Sequence, residues 1–177
     1  MESELIHKLV CAAVNSVRPE IFIPDNIHYQ DGMLIIQETP FDLDVYTHIY
    51  IVSIGKAAVG MTEALDRIIG NRITEGIVLT KHIPAETCLG RKYRIMKGGH
   101  PVPSGSSING AKSILSLLDR AGEEDLVIFL ISGGGSALMT LPVNGIDLET
   151  FQEFSTQFSA AGLISGNSIH CASIWMT

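Results

Sequence analysis

Cysteine is scarce. Cys11, Cys88 and Cys171 are odd in number and far apart, and no CxxC pair occurs. That excludes a disulfide framework and a zinc knuckle. Basic charge is scarce too: 12 Lys and Arg stand against 19 Asp and Glu, a formal charge of −7. A broad cationic face for nucleic acid is therefore not expected. No apolar run reaches the roughly 18–20 residues of a membrane-spanning helix, so no membrane partner is expected. Met1-Glu2-Ser3-Glu4 lacks the basic n-region of a secretory signal. These absences point to a soluble protein of a reducing compartment, the cytoplasm. The six histidines form no HxxxH pair, and no metal ligands are assigned.

Several familiar signatures are also missing. Gly55-Lys56-Ala57-Ala58-Val59-Gly60-Met61-Thr62 has the glycine spacing of a P-loop, but Met61 stands where the phosphate-binding lysine belongs. No GxGxxG follows a strand, and the strand at 76–80 ends in Thr80-Lys81 rather than in an acid that would hold a ribose hydroxyl. That weighs against a nicotinamide-dependent oxidoreductase. Ser136 fails the nucleophile-elbow pattern, because Leu138 replaces the second glycine of GxSxG.

Apolar residues are plentiful, at 46% of the chain, and 177 residues suit one domain or one domain plus a fragment. Asp125 to Ile131 is a continuous apolar, β-branched-rich run after its first residue, the pattern of a strand buried on both faces. Tyr46–Ile54, Gly76–Thr80 and Tyr93–Met96 read as further strands, and Met33–Gln37 as a short one. Leu5, Ile6, Leu9, Val10, Ala13, Val14 and Val17 recur at helical spacing and predict a helix with a core-facing stripe, closed by Pro19. A helix is expected from Ala57 to Ile69, stopped by Gly70-Asn71, and another from Ile108 to Arg120, capped by Ser106 or Ser107. Asp147 is placed to cap a last helix carrying Leu148, Phe151, Phe154 and Phe158, whose phenylalanines are expected in the core. Residues 20–32, the turn at Pro40 and Asp42, residues 81–92 and the cluster 97–106 read as loop. No internal repeat, low-complexity tract or domain linker is apparent. The alternation implies an α/β fold: a Rossmann-like layered sandwich with a mostly parallel sheet.

Two strand ends carry the chemistry. Ser132-Gly133-Gly134-Gly135-Ser136 follows one strand and leaves a loop whose backbone N–H groups are open to an anion. Gly55-Lys56 follows another, with Lys56 at the start of a helix where the dipole favours anions. Each part alone has an ordinary reading: a tight turn for Gly133 to Gly135, a surface lysine for Lys56, a turn cap for Ser136, a solvated strand-end charge for Lys81, a loop histidine for His100. The two strand ends, one glycine-rich and one carrying Lys56, together suggest a phosphate site at the carboxyl edge of the sheet.

Three segments resemble a known family. Ser53-Ile54-Gly55-Lys56-Ala57-Ala58-Val59-Gly60-Met61, Gly98-Gly99-His100-Pro101-Val102-Pro103 and Leu130-Ile131-Ser132-Gly133-Gly134-Gly135-Ser136-Ala137-Leu138 resemble, in order and spacing, motifs of the glycerate 2-kinases of the MOFRL-associated type. Similar bacterial sequences have been labelled hydroxypyruvate reductase. The resemblance covers about residues 1–158, taken as an N-terminal α/β domain. It implies two α/β domains facing a cleft and phosphorylation of D-glycerate at its 2-hydroxyl to 2-phosphoglycerate, with ATP and Mg²⁺. It implies Lys56 as the catalytic lysine, and Gly55, Ser132, Gly133, Gly134, Gly135 and Ser136 as phosphate- or substrate-binding residues. It gives His100 no role. Homo-oligomerisation is compatible with the sequence but not specified by it. Family members run to well over twice this length, and residues 159–177 match nothing in the family pattern. The expectation is a truncated form without the second domain and with little or no activity. The competing expectations are a non-catalytic phospho-metabolite-binding or regulatory protein, and a hydroxypyruvate reductase.

Overall fold

The continuous apolar runs become the strands of a parallel sheet. The computed structural model describes residues 2–160, so residues 161–177, which hold most of the divergent tail, lie outside the described part. Strands β4 (His48–Ile54), β5 (Glu75–Thr80), β6 (Tyr93–Lys97) and β7 (Asp125–Ile131) lie in the order β6-β5-β4-β7, all parallel. Side chains alternate across β4. Ile49 and Ile51 enter the cluster under helix α3 (Ala58–Ile69), and Tyr50, Val52 and Ile54 enter the cluster under helix α4 (Gly105–Leu118). A strand covered on both faces has no polar side to show, which is why its sequence reads as a run rather than an alternation. Ile51, Val52 and Val78 are fully buried, and each such side chain contributes about 1.5–3 kcal/mol relative to exposure.

The strand order positions the site. From β4 the chain moves outward through β5 to β6, then returns to the other side of β4 as β7. The direction reverses between β4 and β7, and the crevice beyond their carboxyl ends is where ligands of open α/β sheets bind. The register aligns those ends: Ile54 pairs with Leu79 and with Ile131, and Thr80 with Lys97.

The amino-terminal third departs from the sequence reading. Pro19 does not merely close helix α1 (Glu2–Ser16); it is the first residue of helix α2 (Pro19–Asn26), a position where a missing N–H is harmless and the fixed φ helps. Residues 27–42 form an antiparallel meander, β1 (Ile27–Gln30), β2 (Met33–Ile36) and β3 (Thr39–Asp42), in place of the loop at 20–32 and the turn at 40–42. Asp31 and Gly32 both have positive φ, at 51° and 82°, the geometry of a two-residue hairpin turn. The apolar stripe of α1 is not core. Leu5, Ile6, Leu9, Val10, Val14 and Val17 are all more than half exposed. Helical periodicity reports an amphipathic helix, not what covers it.

Smaller corrections follow the same logic. Helix α4 starts at Gly105 with Ser104 as its N-cap, three residues before the expected start. Leu115, expected in its buried stripe, is 45% exposed. Helix α6 (Leu148–Ala160) starts as expected, with the Thr150 amide donating to Asp147 Oδ1 at 2.8 Å, but Phe154 is 55% exposed rather than core. The side chain of Phe158 lies outside the described part. No helix among the described residues is long and apolar enough to cross a membrane.

Candidate functional site

Two loops meet at the switch point and are pinned together by their own backbones. After β4, Gly55 N–H donates to the Leu79 carbonyl at 3.0 Å, and Lys56 N–H donates to the Gly133 carbonyl at 3.0 Å. After β7, Ser132 N–H donates to the Ile54 carbonyl at 2.9 Å. The Ser132 hydroxyl accepts the Ala57 amide at 3.1 Å. Gly55 is buried with φ of 127°, and a Cβ there would fall 2.1 Å from Ser132 Oγ. Gly55 and Ser132 are therefore the clasp between the loops.

Gly133 is exposed, and Gly134, with φ of 94°, precedes the single helical turn α5 (Gly135–Leu138). The first amides of a helical turn have no partner four residues back. None of the amides of residues 133–137 donates to another backbone carbonyl among the described residues. Ser136 is exposed beside them. The Lys56 side chain reaches this loop: a Cβ built on Gly134 would lie 3.5 Å from Lys56 Cε. The structure thus brings together Lys56, Gly133, Gly134, Gly135 and Ser136, while Gly55 and Ser132 hold the two loops in place.

Two more residues stand here that local sequence did not single out. His100 packs its ring on Gly134, with Nε2 2.9 Å from where a Cβ would be. Its loop is held by Ser107, fully buried in α4, whose hydroxyl accepts both the Gly99 amide at 2.9 Å and the Ser104 amide at 3.1 Å. Lys81 directly follows β5, next to the point where Gly98 N–H donates to the Thr80 carbonyl at 2.9 Å. Burial holds the His100 imidazole below its usual pKa, and the positive charges of Lys56 and Lys81 push it further down. The available signal was positional. In an acidic chain, the ends of three consecutive parallel strands are followed by Lys56, Lys81 and His100, and the fourth by the glycine loop.

Neither Lys56 nor Lys81 forms an ion pair among the described residues. Unpaired cations, free amides and a hydroxyl at a crevice make a donor set for an oxyanion. They do not make one for a cation: among the described residues no group of three or more His, Cys, Asp or Glu could hold a metal ion. Phosphate oxygens suit these donors, whereas among the described residues no cluster of three or more such side chains offers Mg²⁺ a protein-only site.

Known proteins carry the same architecture. The family model described as "Domain of unknown function (DUF4147)" matches residues 5–167. A glycerate 2-kinase of Pyrococcus horikoshii is 36% identical over 142 residues, covering 80% of this chain and 31% of that protein. A solved structure from the same archaeon superposes with a TM-score of 0.76 at 33% identity, covering 90% of this chain and 35% of that one. The crystal structure of a glycerate kinase from Thermotoga maritima gives 0.69 at 29% identity, covering 92% and 36%. A relative from Agrobacterium vitis, 31% identical over 90% of this chain, bears the name of a hydroxypyruvate reductase. The chain spans about a third of the length of the relatives it matches. With the parallel sheet, the two loops pinned together at the switch point and the family match in agreement, this chain belongs to the DUF4147 family, and glycerate kinases are among its relatives.

Proposed function

We propose that the chain carries the phosphate-binding side of a glycerate 2-kinase: transfer of the terminal phosphoryl group of ATP to the 2-hydroxyl of D-glycerate, giving 2-phosphoglycerate and ADP. The observation that carries this reading is the meeting of the Lys56 side chain with the Gly133–Ser136 loop across the carboxyl ends of β4 and β7. ATP, when bound, supplies the phosphoryl group. Lys56 balances charge on the transferred oxygens, the amides of the loop donate to them, and Ser136 adds a hydroxyl. Phosphoryl transfer asks a protein mainly for positioning and charge stabilisation, which these groups provide. The clasp of Gly55 and Ser132 holds them in place before the ligand arrives.

On this reading the chain is expected to bind ATP and 2-phosphoglycerate through Lys56 and the glycine loop. The test is calorimetric titration with each, alongside an assay of glycerate phosphorylation, for the chain and for Lys56→Ala. Binding lost in Lys56→Ala at an unchanged melting temperature supports the reading. Equal loss of binding and stability makes Lys56 structural. Protection against heat by NADH but not by ATP replaces the reading with a reductase, the name borne by relatives from Agrobacterium vitis.

A further inference from the structure

His100 is a buried-edge imidazole with an unusual set of neighbours. Its Nδ1 is buried with no hydrogen-bond partner among the described residues. Its Nε2 faces the glycine loop at Gly134, on the side where Lys56 Cε also closes in. The ordered charges around it are all positive: Lys56 after β4 and Lys81 after β5. Its own loop and the start of α4 present serines, and the short helix α5 presents Gly135, Ser136, Ala137 and Leu138, none of which titrates. No carboxylate among the described residues acts on the ring.

We propose that His100 is a proton-linked positioning residue of the anion site: it takes up one proton from solvent at Nε2 when a dianion settles between Lys56, Lys81 and the 133–136 loop, and then donates from Nε2 to that anion. The geometry supplies both halves of the coupling. In the free site an imidazolium at this position would feel the charges of Lys56 and Lys81, neither of which is ion-paired among the described residues, so the neutral ring is favoured. A dianion in the crevice cancels those charges and offers Nε2 an acceptor, and both effects favour the protonated ring. By linkage, the affinity for the dianion rises as pH falls through the range where the free His100 is neutral and the bound one charged. The site thereby selects for ligands with at least two negative charges, such as a terminal phosphate, over monoanions. This inference rests on the anion-site reading above, and its test separates the two.

The probe is inorganic sulfate, a dianion across the whole pH range used, so it carries no titrating proton of its own. The imidazole resonances of the full chain are followed by NMR from pH 5 to 9 (about 1.5 units below to about 2.5 units above a histidine's ordinary value), with sulfate or with sodium chloride at equal ionic strength. The resonance absent from His100→Gln identifies His100. Lys56→Ala provides a second identification if that variant does not fold. Sulfate is expected to raise the His100 midpoint by about one unit, a tenfold change in proton affinity. In Lys56→Ala the free midpoint is expected to be higher and the sulfate-induced rise smaller. If sulfate moves the amide resonances of residues 133–136 but leaves the His100 midpoint where chloride leaves it, this inference fails while the anion site stands. If sulfate moves neither, the anion-site reading fails and this inference with it.

Discussion

A side chain on Gly55 and the hydroxyl of Ser132 cannot occupy the same molecule in its present form. A Cβ at residue 55 would stand 2.1 Å from Ser132 Oγ and 2.6 Å from the Ser132 carbonyl oxygen, at a φ of 127° that L side chains rarely adopt. Gly55→Ala therefore strains the backbone and forces the loops after β4 and β7 apart. The expected loss is about 2–6 kcal/mol, from backbone strain of about 1–3 kcal/mol and overpacking of similar size. Urea midpoints measure it. Ser132→Ala, which leaves the Ala57 amide without its acceptor, is expected to cost about 1–2 kcal/mol. In the double variant the two losses should not add, because the hydroxyl contact is gone while the carbonyl contact remains. Strict additivity would show that the two residues are not a clasp.

The three glycines of the loop are not equivalent. A Cβ on Gly134 would meet the His100 ring at 2.8 Å at a φ of 94°, whereas a Cβ on Gly133 meets nothing within 4 Å and one on Gly135 meets only Ile54 at 3.5 Å and Ile131 at 3.9 Å. Gly134→Ala is expected to lower stability by about 1–3 kcal/mol. Gly133→Ala should change it by no more than about 0.5 kcal/mol. Both are expected to weaken anion binding, the first by moving His100 and the backbone, the second by standing a methyl over the exposed amides. Thermal melts and sulfate titrations on the pair separate these effects. A Gly133→Ala chain that binds as well as the parent would place the ligand away from the bare face of this loop.

Much of the sheet was legible because a strand buried on both faces leaves a plain trace. The runs around 48–54, 75–80, 93–97 and 125–131 are read within two residues at every boundary. Of the meander only β2 was read, as Met33–Gln37 against Met33–Ile36; β1 and β3 were not, although Asp31-Gly32 is a hairpin dipeptide, because strands of four residues are too short for their alternation to stand out and Pro40 reads as a turn although it sits in β3. The stripe of α1 was legible as a pattern and misleading as a location. At the site, Lys56 and the 132–136 loop stand out because glycines flank them. Lys81 and His100 do not, because their meaning lies in strand order. Only the sequence β6-β5-β4-β7 places their strand ends beside one another.

Ser107 illustrates the same dependence. As a second candidate cap for α4 it looked local, yet its buried hydroxyl serves two amides, Ser104 within the helix start and Gly99 in the His100 loop. Ser107→Ala leaves both donors without that acceptor in a site closed to water. The expected cost is about 1–3 kcal/mol, accompanied by loosened protection of the Gly98 and Gly99 amides in hydrogen exchange. Cysteine at this position, larger and a weak acceptor, should not restore it; threonine, which keeps the hydroxyl, tests whether the surrounding space admits a methyl. Unchanged exchange at Gly99 in Ser107→Ala would mean that the loop is held by other contacts.

Acid sensitivity should come in part from Asp66, in the last turn of α3, at the opposite end of that helix from the site. Burial alone would raise its carboxyl, but the hydrogen bonds from Lys92 and Tyr93, together with the Lys92 charge, outweigh that and hold it below the ordinary carboxylate range. Tyr93 Oη donates to Asp66 Oδ1 at 2.6 Å and Lys92 Nζ lies 2.8 Å from the same oxygen, so the group ties the end of α3 to the start of the edge strand β6. Because the folded pKa lies below the unfolded one, the stabilisation is complete above the unfolded value, about 3.9, and is lost as pH falls through the lowered folded value. Urea midpoints from neutral pH down to about pH 3 should therefore fall at the acid end, and fall less steeply in Asp66→Asn. Tyr93→Phe should cost about 1.5–3 kcal/mol at neutral pH, the range for a hydrogen bond to a charged group, and should also flatten the acid limb. Asp125 and Asp147 are likewise held low, by the Gly122 and Thr150 amides respectively. If Asp66→Asn keeps the parent's full acid slope, those two carboxylates carry it and the α3–β6 tie contributes nothing to the pH dependence.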